Sequence, residues 1–173
     1  MDRRAVFEPL ERRELLSANP VISEVVARND TGLLDYDFDH SDWFEIHNRG
    51  TSAVNLNGWH FTDDLDNTTK WQVPVATVLG PDKRLVVFAS NEDYVAPNGE
   101  LHTNFRFTSE GEFIGLADPA GQLISSIDFP TQSKDVSFGI DENVQGYPAG
   151  HQGRSSSSFC ACQRFVRRYL ERQ

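Results

Sequence analysis

Short apolar runs alternate with clusters of turn residues through the middle of the chain. WFEIHN (43–48) alternates at every second position, which places Trp43, Glu45 and His47 on one face of a strand. Similar runs occur at 21–27, 43–48, 58–63, 71–74, 84–90, 103–108, 112–118, 122–129 and 135–139. Their spacing of roughly 8–12 residues is typical of a sandwich or barrel. The pattern therefore predicts an all-β domain of about nine short strands.

Charge and composition divide the chain into three segments, residues 1–19, 20–150 and 151–173. The middle segment, 20–150, carries 7 basic and 21 acidic residues, a net charge of −14. Such a surface repels a phosphate backbone and attracts cations or basic partners, so we do not expect nucleic-acid binding. The Ser- and Arg-rich last segment holds Cys160 and Cys162, expected to be free thiols, and is predicted to be disordered or a short helix. No apolar run reaches the length of a membrane helix, about 18 residues.

An acidic stretch, DYDFDHSD, precedes the run at 43–48. Asp35, Asp37, Asp39 and Asp42 resemble the start of an EF-hand loop, whose oxygen ligands suit calcium. The stretch lacks the central glycine and the twelfth-position glutamate of that loop. Two interpretations stay open, a calcium site formed by these four residues and a solvated acidic turn, and the second fits the sequence better. We predict no other cofactor.

Other side chains that could act in catalysis or binding have simpler interpretations. Glu45 beside Trp43 superficially suits sugar chemistry, but a strand glutamate that faces solvent or pairs with a basic residue fits better, and we predict no enzymatic activity. The tryptophans are expected in the core, with an exposed carbohydrate platform as the alternative. His47 and His60 could form a metal pair only if their strands are neighbours.

Three segments taken in order resemble the lamin tail domain in its bacterial form: VISEVVARN with SDWFEIHN, then AVNLNGWHFTDDLDNTTKWQVP, then LGPDKRLVVFAS. The resemblance spans residues 21–139. It implies an immunoglobulin-like β-sandwich and a non-catalytic module. After DVSFG the chain departs from the family pattern, so we expect either a degenerate last strand or a truncation or frame shift after about Gly150.

The first segment contains FEPLERRELLSA, which is similar to the LEPRxLL-type sorting motif of planctomycete surface and secreted proteins. The positions in register are Glu8, Pro9, Leu10, Glu11, Arg13, Leu15, Leu16, Ser17 and Ala18. This resemblance implies a secreted or cell-surface location, although a standard signal peptide is absent from the sequence.

Together these observations predict a protein-interaction or structural module of an extracellular bacterial protein. Its partner would be a protein or a cell-surface polymer. The alternatives are a calcium-dependent or carbohydrate-binding adhesion module and an accessory domain of a fragmentary extracellular hydrolase.

Overall fold

The computed structural model describes residues 17–139, which form an all-β, immunoglobulin-like sandwich with no helix. Most of the sorting-like motif and the whole of the last segment, 151–173, lie outside the described residues. The strands are β1 (Pro20–Val26), β2 (Asp42–Asn48), β3 (Val54–Asn55), β4 (His60–Thr62), β5 (Trp71–Gln72), β6 (Val78–Leu79), β7 (Arg84–Ala89), β8 (Tyr94–Val95), β9 (Leu101–His102), β10 (Gly111–Ala117), β11 (Leu123–Pro130) and β12 (Phe138–Gly139).

The larger sheet has six strands in the order β12-β1-β2-β7-β9-β8. Its pairs are antiparallel except β7 with β9, which run parallel. A register shift in β1 between Ile22 and Glu24 places Ser23 in a bulge. The last described strand, β12, pairs with the first, since Glu24 lies opposite Gly139.

The second sheet has four strands in the order β11-β10-β4-β5, and β3 and β6 form a separate two-stranded ribbon. The turn between β10 and β11 follows the predicted PAG signature. Gly121 has a φ of 80° there and donates its backbone N–H to the carbonyl of Asp118 at 2.9 Å. Glycine adopts this left-handed conformation without steric cost, which explains its position in the turn.

An aromatic core fills the space between the two large sheets. Phe44 of the six-stranded sheet meets Phe61 of the four-stranded sheet edge to face, with ring centroids 5.0 Å apart. Phe61 in turn stacks on Trp71 at 5.9 Å. Both phenylalanines are fully buried, so the alternation of the strand sequences sets which side chains join the sheets.

A second, smaller cluster covers the outer face of the six-stranded sheet. It contains Val26, Trp43, Val86 and Phe88, and Leu33 of the β1–β2 loop packs against it. Every residue of β2 after Asp42 is therefore buried, including the face that carries Trp43, Glu45 and His47. The β1–β2 loop thus lies on the sheet.

One predicted strand is wrong. TNFRFT (103–108) forms only an isolated bridge between Arg106 and Ser90, which the N–H of Asn91 makes by donating to the carbonyl of Phe105. The Thr103 hydroxyl bonds to the same carbonyl and turns the backbone locally instead of extending the pairing. Phe105 and Phe107, which were predicted to share one face, both join the main core. The four strands that the pattern missed, β3, β6, β8 and β9, have two residues each.

Candidate functional site

The β1–β2 loop exposes apolar side chains at its tip, in residues 34–38. Leu34, Tyr36 and Phe38 are 44%, 43% and 81% exposed, whereas the charged side chain between the first two, Asp35, is only 5% exposed. This reverses the usual distribution, in which carboxylates face water and large apolar groups are covered. The loop therefore combines an internal carboxylate with an external apolar surface.

Asp35 is internal because its carboxylate organises the loop. Its Oδ1 accepts the backbone N–H groups of Asp37 and Asp39 at 3.0 and 2.9 Å, and its Oδ2 accepts the hydroxyl of Ser41 at 2.7 Å. Its own backbone groups bond to Asp39 and Phe38 across the same turn. Aspartate side chains that bond to nearby backbone in this way fix tight turns. The sequence interpretation as an acidic turn agrees with this geometry.

Two contacts fasten the loop to strand β8 and to the residue directly before β9. The backbone N–H of Tyr36 donates to Oε2 of Glu100 at 2.8 Å, and the hydroxyl of Tyr94 donates to the carboxylate of Asp37. Desolvation and the acceptor carboxylate of Asp37 both raise the pKa of the Tyr94 hydroxyl, so this group stays a donor at neutral pH. Residues 36 and 37 of the loop are therefore each bonded to a different neighbouring segment.

Phe38 occupies the left-handed region, with φ 67°. That region costs an L-residue about 1–2 kcal/mol, and glycine enters it freely. We expect Phe38→Gly to raise the free energy of unfolding by about 0.5–1 kcal/mol, because relief of backbone strain outweighs the loss of a ring that is 81% exposed. Urea denaturation of both proteins measures this.

Tyr36→Gly is the matched control, since Tyr36 is an exposed aromatic of the same loop without a positive φ. It should lower the free energy of unfolding by about 0.5–1 kcal/mol through backbone entropy. A loss of similar size in Phe38→Gly would contradict the strain argument.

Asp42, the last acid of the stretch, begins β2 and is partly buried. Its Oδ1 accepts the backbone N–H of Asn29 at 3.1 Å. Burial raises the pKa of the Asp42 carboxyl to about 6, and the hydrogen bond from Asn29 opposes this only in part. The side chain acts as a structural acceptor whose charge is poorly solvated.

This pKa predicts how stability depends on pH. Between the ordinary pKa of about 3.8 and the raised value of about 6, the folded protein binds the proton that the unfolded chain releases. The Asp42 contribution therefore favours folding at low pH and is lost as the pH rises through 6. We expect Asp42→Asn, which keeps the acceptor for Asn29, to add about 1–2 kcal/mol at pH 7 and almost nothing at pH 4.

Melting temperatures of wild type and Asp42→Asn across pH 4–7 check this expectation. Asp128→Asn, at an exposed position of β11, serves as the control and should show no such pH-dependent difference. A constant gap between wild type and Asp42→Asn at all pH values would contradict the raised pKa.

The structure does not gather the four acids of the proposed calcium site around one point. Among the described residues, the group whose ligand atoms approach within 4.8 Å joins Asp35 to Glu92 and His102 rather than to its three sequence partners. Asp37 and Asp39 are exposed on the loop. Calcium binding by Asp35, Asp37, Asp39 and Asp42 stays a prediction.

Glu45 lies inside the sheet layer and not in a cleft. The side chain is fully buried, and its Oε1 accepts from the Ser23 hydroxyl at 2.6 Å and from Nη1 of Arg84 at 2.5 Å. Burial raises its pKa, although both partners oppose the shift. Pairing with a basic residue, one of the two alternatives that the sequence left, is what the structure has.

The histidine pair considered from sequence does not form. His47 lies on β2 of the six-stranded sheet and His60 on β4 of the four-stranded sheet. Nε2 of His47 lies 2.9 Å from the carboxylate of Asp82, and Nδ1 of His60 lies 3.2 Å from the carbonyl of Asp118. These two rings have separate partners in separate layers.

The tryptophans belong to the core, as the simpler interpretation predicted. Trp43 and Trp71 are 6% and 4% exposed, and Trp59 packs half-buried against the main cluster. A shallow groove of about 410 Å³ does run between β5 and β8, but Trp71 contributes little ring surface to it and donates Nε1–H to Asp93 at 2.8 Å. Stacking of a sugar on these rings therefore has little support.

The described residues include no helix that could span a membrane.

Comparison with known proteins assigns the family. The comparison with curated proteins gives no significant match. The family model for the lamin tail domain matches residues 16–131, which include all strands from β1 to β11 and the 34–38 loop. The chain therefore belongs to the lamin tail domain family.

Proposed function

We propose that this domain is a non-catalytic protein-interaction module of a secreted or cell-surface bacterial protein, and that residues 34–38 are its recognition surface. The family assignment supports an immunoglobulin-like module without chemistry of its own. The extracellular location is supported by the sorting-like leader in residues 1–19.

The exposure of Phe38 on a fixed loop is the observation that carries the proposal. The ring is 81% exposed in a left-handed backbone conformation that the Asp35 hydrogen bonds maintain. Strained backbone that displays an apolar side chain has no benefit for folding, and such strain is found at ligand-binding sites. A loop already held in one conformation also loses little entropy when a partner binds.

The chemistry of the tip indicates the kind of partner. Phe38, Tyr36 and Leu34 form an apolar anchor, while Asp37 and Asp39 supply negative charge beside it. A complementary surface would have an apolar pocket with lysine or arginine at its rim. The negative charge of the whole middle segment would speed the encounter with such a partner.

The burial of Glu45 supports the non-catalytic part of the proposal. Glu45, the residue nearest to a catalytic arrangement in the sequence, is fully buried beside Arg84 and Ser23. A general acid must come within hydrogen-bond distance of its substrate. A carboxylate enclosed in the sheet layer does not meet that condition.

Selection from a displayed random peptide library tests the recognition surface. We expect wild-type protein to select peptides that combine apolar and basic residues, and Phe38→Gly to bind them at least tenfold more weakly. The glycine variant keeps the loop conformation available, so lost binding reports the ring itself. Ile124→Ala, an exposed apolar position on β11, is the matched control and should bind as wild type does.

Peptides that bind wild type and Phe38→Gly equally would contradict the proposal. The calcium-dependent alternative predicts instead that selected ligands bind only when Ca²⁺ is present. Repeating the binding measurements with a chelator separates the two hypotheses.

A further inference from the structure

Three segments that are distant in sequence bring metal-ligating side chains together beneath the 34–38 loop. Asp35 comes from the β1–β2 loop, Glu92 from the β7–β8 loop and His102 from β9. One ligand atom from each, a carboxylate oxygen or a ring nitrogen, lies within 4.8 Å of the other two. Asp35 and His102 are buried, and Glu92, with 42% of its side chain exposed, connects the cluster to the surface.

The environment of the His102 ring is an independent observation. The ring is fully buried between Phe88 and Tyr94, with centroid distances of 5.2 and 4.4 Å. Its Nδ1 lies 3.0 Å from the Ser90 hydroxyl and 3.1 Å from Oε2 of Glu92, whereas Nε2 has no hydrogen-bond partner within residues 17–139. The nearest carboxylate oxygen recorded for Nε2, Oε2 of Glu100, is 4.0 Å away.

Neither neutral tautomer satisfies this ring. If Nδ1 carries the proton and donates to Glu92, the Nε2 lone pair is buried without a donor. If Nε2 carries the proton, its N–H has no acceptor and the Nδ1 lone pair faces the Glu92 carboxylate. A buried polar atom without a partner costs about 1–3 kcal/mol. A cation bound at Nδ1, the ring nitrogen beside Glu92, takes the Nδ1 lone pair and neutralises the carboxylates, which leaves the proton on Nε2, 4.0 Å from Oε2 of Glu100.

The carboxylate of Asp35 keeps capacity for a ligand bond. Its Oδ1 already accepts two N–H groups, but Oδ2 accepts only the Ser41 hydroxyl. A carboxylate oxygen has two lone-pair directions, so Oδ2 has one available. A hydrogen-bonded carboxylate of this kind is also held in a fixed orientation, as metal ligands commonly are.

The donor set indicates the class of metal. One imidazole nitrogen with two carboxylate oxygens is typical of Zn²⁺ and other first-row transition metals, whereas Ca²⁺ and Mg²⁺ take oxygen ligands. Tetrahedral bonds of about 2.1 Å place ligand atoms about 3.4 Å apart, so the cluster has to contract slightly from its limit of 4.8 Å. Oε2 of Glu92 already lies 3.1 Å from Nδ1 of His102, so the contraction brings Asp35 and this pair together.

We propose that Asp35, Glu92 and His102 form a binding site for a zinc-class divalent cation that ties the recognition loop to β9 and to the β7–β8 loop. The site differs in residues and in metal class from the calcium interpretation of the acidic stretch. It shares only Asp35 with that interpretation. It also stands apart from peptide recognition, since Phe38 is no part of it.

The test titrates Zn²⁺ alone into the full chain carrying Cys160→Ser and Cys162→Ser, which removes the thiols as competing ligands. Calorimetry should show one strong site. The melting temperature should rise by about 5–10 °C when Zn²⁺ exceeds its Kd a hundredfold. The same concentrations of Ca²⁺ alone should leave the melting temperature unchanged.

Glu92→Gln is the decisive variant, because Asp35 and His102 also support the fold. It should weaken Zn²⁺ binding at least tenfold while the metal-free melting temperature stays within about 2 °C of the parent. Glu110→Gln, at an exposed position before β10, should bind Zn²⁺ as the parent does. The ¹⁵N resonances of the His102 ring should shift on Zn²⁺ addition in the parent.

Two results would overturn the proposal. Zn²⁺ binding that is absent, or that Glu92→Gln leaves unchanged, would remove the site. A melting shift produced equally by Ca²⁺ and lost in Glu92→Gln would keep the location but reject the metal class. Loss of peptide binding in Phe38→Gly bears on neither result, so this proposal and the recognition proposal fail separately.

Discussion

Replacement of Glu45 by alanine is expected to lower the free energy of unfolding by about 3–4 kcal/mol. The change removes a fully buried carboxylate that lies 2.5 Å from Nη1 of Arg84 and 2.6 Å from the Ser23 hydroxyl. The hydroxyl then has a poorer set of acceptors, Arg84 loses its short contact in the sheet layer, and a cavity remains. Removal of one member of a buried pair costs about 3–5 kcal/mol, and the 32% exposure of the Arg84 side chain places the loss toward the lower end.

Glu45→Gln separates charge from shape. It keeps the side-chain volume and an acceptor for both partners, and burial already makes the carboxylate charge unfavourable, as its raised pKa shows. We therefore expect Glu45→Gln to change the free energy of unfolding by no more than about 1 kcal/mol. Urea denaturation of the two variants gives both values. Equal losses would mean that the charge, and not the packing, stabilises this position.

Replacement of Asp35 by alanine is the second large expected effect, a loss of about 2–3 kcal/mol. Two backbone N–H groups and the Ser41 hydroxyl lose their common acceptor, and the site is only 5% exposed, so water compensates them incompletely. The left-handed conformation of Phe38 then has less to hold it. We also expect weaker binding of the selected peptides, although the Phe38 ring is still present.

Amide hydrogen exchange locates this effect in the loop. The N–H groups of Asp37 and Asp39 should exchange much faster in Asp35→Ala. The N–H groups in the centre of β2 should exchange faster only in proportion to the loss of global stability. Asp39→Ala is the control, since its exposed side chain makes no described hydrogen bond, and it should cost less than about 0.5 kcal/mol. Unchanged exchange at Asp37 in Asp35→Ala would contradict the organising role of this carboxylate.

The longer strands could be predicted because the period of two is visible in them. The main core takes Phe44 and Ile46 from β2 and Ile114 and Leu116 from β10, each at alternate positions. A strand of two residues, such as β9, has no period to detect, and its parallel pairing with β7 depends on tertiary packing. The error at 103–108 arose from the same limit, since alternation reports which side chains are covered and not which backbone groups are paired.

The candidate site was predictable only in its location. The acidic stretch marked the right loop. However, no local pattern distinguishes its aspartates, whereas the fold buries one of them, Asp35. Asp35 is buried where its carboxylate accepts the N–H groups of Asp37 and Asp39 and the hydroxyl of Ser41. Glu92 and His102 reach it only through the strand order β7-β9-β8, which no local pattern encodes.

The antiparallel pairing of the first and last described strands brings the two ends of the described chain close together. The chain enters β1 at Pro20, and at Gly139, opposite Glu24, it runs back toward that same end of the sandwich. The β1–β2 loop begins at the other end of β1, about 20 Å away for a strand of 7 residues. Both ends of the described chain therefore lie near one end of β1, and the β1–β2 loop begins at the opposite end. A force applied at Pro20 and Gly139 would act first on the β1–β12 pair.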